Sequence, residues 1–227
     1  MSEAPPTDLL EQPFWQEEHL GRPLPDTEFG VSVCLPLWAH VIGYEQKDPD
    51  VLRHFQSGSP RLCCPPAVGA LFEAAEQELA EQGERCLVFP RQSHALRCLD
   101  FIAKRTGLKH GRSVLWKGLG AAVFPAAAYD EGRRFWRFCG EVVSTRQACE
   151  VLGRWHGQVT PGQGRAASRQ ICARIADLAA QPPGNVFLFP SGMAANFAVH
   201  RMLLSQRPAR KTVQLDFPYV DVLKLQE

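Results

Sequence analysis

Three segments of the chain share one pattern. "CLVFPRQSHAL" from Cys86, "AAVFPAAAYDE" from Ala121 and "VFLFPSGMAAN" from Val186 each run as a short apolar stretch to Phe-Pro and resume at once with helical spacing. An apolar run of that length, ended by a residue that cannot donate to a sheet ladder, predicts a buried strand. Strands that alternate with helices argue for a parallel sheet covered on both faces. The spacing between the three is irregular, so they share an architecture and are not a sequence repeat. The fold class expected is α/β.

Composition narrows the function classes. With 227 residues, 45% hydrophobic and 22% charged, the chain can bury a core of ordinary globular size. The formal charge of +1 gives no field for nucleic acid or an anionic membrane surface. The basic run "RPARK" at 207–211 reads as charge complementing a helix C-terminus. No apolar run is long enough to span a bilayer, and the acidic start "MSEAPPTDLLEQPFW" is unlike a signal peptide. The eight cysteines make no C-x-x-C pair and sit mostly in apolar surroundings, which predicts buried free thiols, no metal site and a cytoplasmic protein. A redox role for the adjacent Cys63-Cys64 pair is the alternative.

Residues 1–30, rich in Pro, Glu and Asp, read as a flexible leader with a short helical piece. The spacing then predicts a helix from about Pro66 to Gln82 ended by Gly83, and a strand over 85–90. A helix over 91–107 follows, with an apolar face at Leu96, Leu99 and Ile102 and a stop at Gly107. A second strand is expected in "GAAVFP" (120–125), a helix in "AYDEGRRFWRFCG" (128–140), and another over 144–155 capped by Ser144. "HGQVTPGQGRAAS" (156–168) is turn-rich and is the linker expected, ahead of a helix that stops before Pro182. "KTVQLDF" (211–217) reads as a further strand, and "PYVDVLKLQE" starts a helix with no stop signal near Glu227.

The junction at Ser191-Gly192-Met193 joins strand to helix with no loop between. Such a helix start leaves backbone N–H groups unpaired and carries a partial positive charge, which suits a phosphate. The competing reading is a tight turn in which Ser191 is an N-cap and Gly192 relieves crowding. Elsewhere, Gly118-Leu119-Gly120 precedes its strand and lacks the third glycine of a dinucleotide loop. His94, His110, His156 and His200 show no ligand spacing, and neither a Gly-x-Ser-x-Gly elbow nor a paired-carboxylate arrangement occurs.

With "FLFPSGMAANFAVHRMLL" followed by "KTVQLDFPYVDVLKLQE", the chain resembles the cystathionine γ-synthase-like branch of the Cys/Met-metabolism enzymes, pyridoxal-phosphate proteins of the aspartate-aminotransferase fold. The segments from Gly21 to Pro90 resemble the N-terminal extension of the long fungal members. The resemblance implies a family-specific α/β extension over 31–155, a linker over 156–168 and the beginning of the cofactor domain over 169–227. It also implies pyridoxal 5′-phosphate as cofactor, its phosphate cupped by the amides of Gly192 and Met193 at a turn set by Ser191, and its ring stacked on Tyr219. The activity implied is γ-replacement on an O-acyl-homoserine by cysteine or sulfide, in sulfur amino-acid and methionine biosynthesis, by a homo-oligomer of the full-length protein.

Two departures stand out. The family's Tyr-x-Arg phosphate pair has as its nearest counterpart His156-Gly157-Gln158, with Arg165 as a substitute. None of the lysines at 47, 104, 109, 117, 211 and 224 lies in the Ser-x-Thr-Lys setting of the lysine that holds the cofactor. The expectation is an N-terminal piece of an enzyme, inactive alone; the alternative is a non-catalytic interaction or regulatory relative.

Overall fold

The computed structural model describes residues 8–27, 29–30, 32–57, 64–155, 160–206, 211–217 and 219–226. A short antiparallel pair, β1 (Pro23–Leu24) and β2 (Ser32–Val33), leads to helices α1 (Trp38–Gln46) and α2 (Pro49–Leu52). So the second half of the expected leader carries regular structure, including a 3-10 turn over Glu17–His19. The body follows as α3 (Pro66–Leu79), β3 (Glu84–Phe89), α4 (Gln92–Thr106), β4 (Arg112–Trp116), β5 (Leu119–Pro125), α5 (Tyr129–Cys139) and α6 (Thr145–Val151). Beyond it lie α7 (Pro161–Leu178), α8 (Gly192–Gln206) and α9 (Val220–Lys224).

Among the described residues the main sheet is three-stranded with order β3-β5-β4, and both pairings are antiparallel, which corrects the parallel sheet expected. The reason is a turn the periodicity argument passed over. Lys117 and Gly118 both have positive φ, 47° and 80°, and join β4 to β5 with Trp116 opposite Leu119. Two consecutive positive φ values make the two-residue type I′ hairpin, whose twist matches that of the strands it joins. β3 and β4 therefore run parallel to each other with α4 as their crossover, and β5 is inserted between them, a split β-α-β arrangement. Gly120 belongs to this packing, since a Cβ there would collide with the backbone of Arg91 and Gln92 at the start of α4.

The sheet is covered on both faces, as expected: the last four residues of β3 and the first six of β5 are buried. On one face Trp116 donates its indole N–H to Glu78 of α3 at 2.7 Å, and Arg112 donates to the Leu79 carbonyl at 2.7 Å. On the other face α4 and α5 pack, with Gly132 set against the ring of Phe124 and against Leu87. The α4 and α5 helices and their closing glycines, Gly107 and Gly140, are where the sequence put them, both glycines in the left-handed conformation. The buried face of α4 is Ala95, Cys98 and Ile102; Leu96 points to solvent. α3 stops at Leu79, three residues before the expected Gln82, and Ser144 caps α6 by accepting from the Gln147 N–H.

The described cysteines are free thiols, and Cys34, Cys86, Cys98, Cys139 and Cys149 are buried. Burial pushes the Cys86 and Cys139 thiols up to about 12. Cys63, the stretch 156–159 and most of the basic run lie outside the described residues. Among the described residues no group of three metal-ligating side chains occurs, and no helix is long and apolar enough to cross a membrane.

The C-terminal third differs most from expectation. Residues 161–168 are the first turns of α7, with no loop. Thr160 Oγ1 accepts from the Gln163 N–H at 3.3 Å while Gln163 Oε1 accepts from the Thr160 N–H at 2.8 Å. This capping box, with Pro161 in the first helical position, starts a helix despite the glycines at 162 and 164. Residues 186–189 are not a buried strand. Val186 has extended dihedrals (φ −101°, ψ 120°), but Phe187, Leu188 and Phe189 are exposed and pair with no strand among the described residues. Residues 211–217 are likewise not a strand, with Val213, Leu215 and Phe217 exposed. Local propensity for a strand is present in both segments; the neighbour that would make one is not among the described residues.

Candidate functional site

Ser191, Gly192 and Met193 form the start of the 15-residue helix α8, and the turn rests on the end of α5. α5 closes at Gly140, whose φ of +68° turns its carbonyl outward to accept the Ser191 hydroxyl at 3.1 Å. The same Ser191 Oγ accepts from the Ala194 N–H at 3.1 Å, so the serine is the N-cap that one sequence reading predicted. A Cβ on Gly140 would lie within 2.8 Å of Ala194 N, Ser191 Oγ and the Met193 carbonyl carbon. The fit between turn and seat is therefore backbone against backbone. Phe197, one turn further along α8, meets Phe135 of α5 edge-on at 5.8 Å.

Glu141, the next residue, ties this seat to two helices. Arg97 of α4 holds its carboxylate through both oxygens, at 2.6 and 2.7 Å. His94 Nε2 stands 3.8 Å away and Arg201 of α8 4.0 Å away. Burial pulls the His94 imidazole below its ordinary pKa, Glu141 opposes that shift, and Arg97, Arg91 and Arg201 add to it. His94 Nδ1 is buried without a hydrogen-bond partner among the described residues. The sequence offered no sign of Gly140, Glu141 or Arg97 as partners of the turn, because they lie about fifty residues or more away along the chain.

Gly192 and Met193 place their N–H groups at the first two helical positions, and neither finds an acceptor among the described residues. A Cβ on Gly192 would meet no atom of the described residues within 4 Å. Gly192 thus relieves no crowding against the described residues, which corrects that part of the tight-turn reading. Free donors at the positive end of a helix, beside open space, can take an anionic oxygen group. Tyr219 stands at the N-cap of α9, half exposed, and donates its hydroxyl to Asp221 Oδ2 at 2.8 Å. It follows an irregular segment where the end of a strand was expected, and α9 packs on α5 and α8, as the turn does. Arg165, the substitute suggested for a phosphate-binding arginine, is exposed in the first turns of α7.

Residues 67–144 match the family described as the N-terminal domain of fungal trans-sulfuration enzymes, a span that runs from the first turn of α3 to the cap of α6. Several relatives are named cystathionine gamma-synthase or cystathionine gamma-synthase-like. A Saccharomyces cerevisiae protein provisionally named a cystathionine gamma-synthase is 33% identical, covering 59% of this chain and 23% of its own. The cystathionine gamma-synthase of the same yeast is 28% identical over 56% of this chain and 23% of its own. The cystathionine gamma-synthase-like enzyme iboG2 of Amanita muscaria is 24% identical over 91% of this chain and 48% of its own. The chain thus spans less than half the length of these relatives. No solved structure matches it.

Proposed function

We propose that this chain is the N-terminal portion of a pyridoxal-phosphate-dependent, cystathionine γ-synthase-like enzyme, and that the Ser191–Met193 turn is its phosphate cradle. The observation that carries this reading is the pair of N–H groups at Gly192 and Met193 that find no acceptor among the described residues, at a glycine whose added Cβ would meet none of their atoms within 4 Å. Those donors suit a phosphate monoester, and the half-exposed ring of Tyr219 offers a flat face for an aromatic ring. When bound, pyridoxal phosphate supplies the electron sink for carbanion chemistry. The chain's own part is to hold the phosphate by backbone donors, with Ser191 fixing the turn and Gly192 leaving the approach clear. The reaction of the longer protein is γ-replacement on an O-acyl-homoserine by cysteine or sulfide, and the relatives' names support that class.

The test is binding of pyridoxal phosphate by the chain and its variants. Gly192→Val adds a side chain where a Cβ would meet no atom of the described residues within 4 Å. It should leave folding intact and weaken binding by about tenfold or more, some 1.4 kcal/mol. Tyr219→Ala should weaken it less, and Tyr219→Phe least. Undiminished binding by a folded Gly192→Val variant removes the turn from the site.

A further inference from the structure

A cavity of about 200 Å3 opens where α3 and the start of α5 meet beside the outer edge of β3, at the opposite end of α5 from Gly140. Gly69, Phe72 and Glu73 face it from one stripe of α3, and Tyr129 and Arg133, one turn apart, face it from α5. Gly69 lies inside a helix, where glycine is less favourable than alanine. Among the described residues no neighbouring atom stands within 4 Å of where its Cβ would be, so their packing does not explain it. Its effect is to keep the cavity wall low.

The charges around the cavity divide into two sets. Arg85 is committed: its Nε donates to Glu76 at 2.8 Å and its guanidinium lies 3.9 Å from the centre of the Tyr129 ring. Arg133 and Glu73 are not. Arg133 stacks over Trp136 at 4.4 Å, and neither it nor Glu73 has an ion-pair partner among the described residues. A cation from α5 and a carboxylate from α3, neither in an ion pair among the described residues, therefore line one cavity together with Phe72 and Tyr129. Drug-sized ligands need ~300–1,000 Å3, so the space suits something smaller than a nucleotide. A bare phosphate would meet Glu73 as well as Arg133 and be repelled by it.

We propose that this cavity binds a free L-α-amino acid with a compact apolar side chain. Arg133 takes the carboxylate and Glu73 the ammonium group. The side chain lies against Phe72 and Tyr129, in the room that Gly69 leaves. The residues proposed to hold the ligand fall within residues 67–144, and the proposal does not rest on the phosphate-cradle reading.

The experiment is calorimetric titration of the full chain with each of the common L-α-amino acids, with the amine that lacks the carboxylate of the best binder, and with inorganic phosphate. Saturable binding of an apolar amino acid is expected, and neither the amine nor phosphate should bind. Arg133→Gln and Glu73→Gln should each weaken binding by about tenfold or more. Gly69→Ala raises helix propensity, so it keeps the fold while narrowing the cavity, and it should weaken binding too. The proposal is overturned if no amino acid binds the wild-type chain, if phosphate binds in its place, or if binding survives unchanged in folded Arg133→Gln and Gly69→Ala.

Discussion

Gly140 and Gly192 flank the same turn and have opposite surroundings. Gly140 holds φ +68° with backbone atoms of the turn pressed against it, while Gly192 borders open space. Gly140→Ala should therefore destabilise the chain by roughly 1–3 kcal/mol from the left-handed backbone alone, with the clash added to that. Gly192→Ala should change stability by only about 0.5 kcal/mol in either direction. Urea denaturation of the two variants checks the contrast, and equal losses would mean that the turn is not seated on Gly140. Ser191 bridges both sides through its bonds to Gly140 and Ala194, so its role is larger than a helix cap alone.

At the scale of elements, the Glu141 cluster joins α4, the end of α5 and α8, and it carries a pH dependence. The folded pKa of His94 lies below its ordinary 6.5 because the ring is buried. As pH falls below 6.5, the unfolded chain takes up this proton before the folded chain does, so stability is lost on acidification. The urea midpoint should drop between about pH 7.5 and pH 5.5, and His94→Gln should flatten the drop. An unchanged slope in that variant would assign the acid sensitivity to other groups. The elements themselves were unevenly legible. β3, α4, β5 and α5 could be placed from apolar runs and closing glycines, because those signals are local. The order and direction of the strands could not, because they turn on Lys117-Gly118, a hairpin with a lysine where Asn or Asp is the usual cue. The start of α7 was hidden by its glycines, although Thr160 and Gln163 spelled a capping box. Of the candidate site, the cap at Ser191 was visible in the sequence. The seat beneath it was not, because it depends on contacts between residues distant in the chain.

For the whole molecule, the described residues divide by burial. The core lies almost wholly between Val68 and Ala148, whereas the helices beyond it turn Ile171, Ile175, Met202 and Leu203 to solvent. Apolar surface of that extent promotes association. The chain should sediment as concentration-dependent oligomers, and Leu203→Glu should shift it toward monomer; a monomer at all concentrations would contradict this. We propose that the turn resting on the α/β body holds a phosphate through backbone donors. The most direct measurement follows the amide resonances of Gly192 and Met193 while the chain is titrated with pyridoxal phosphate and, separately, with pyridoxal. Both amides should move saturably with the phosphorylated compound and stay still with pyridoxal. Amides that do not move, or that move equally with both compounds, would contradict the account.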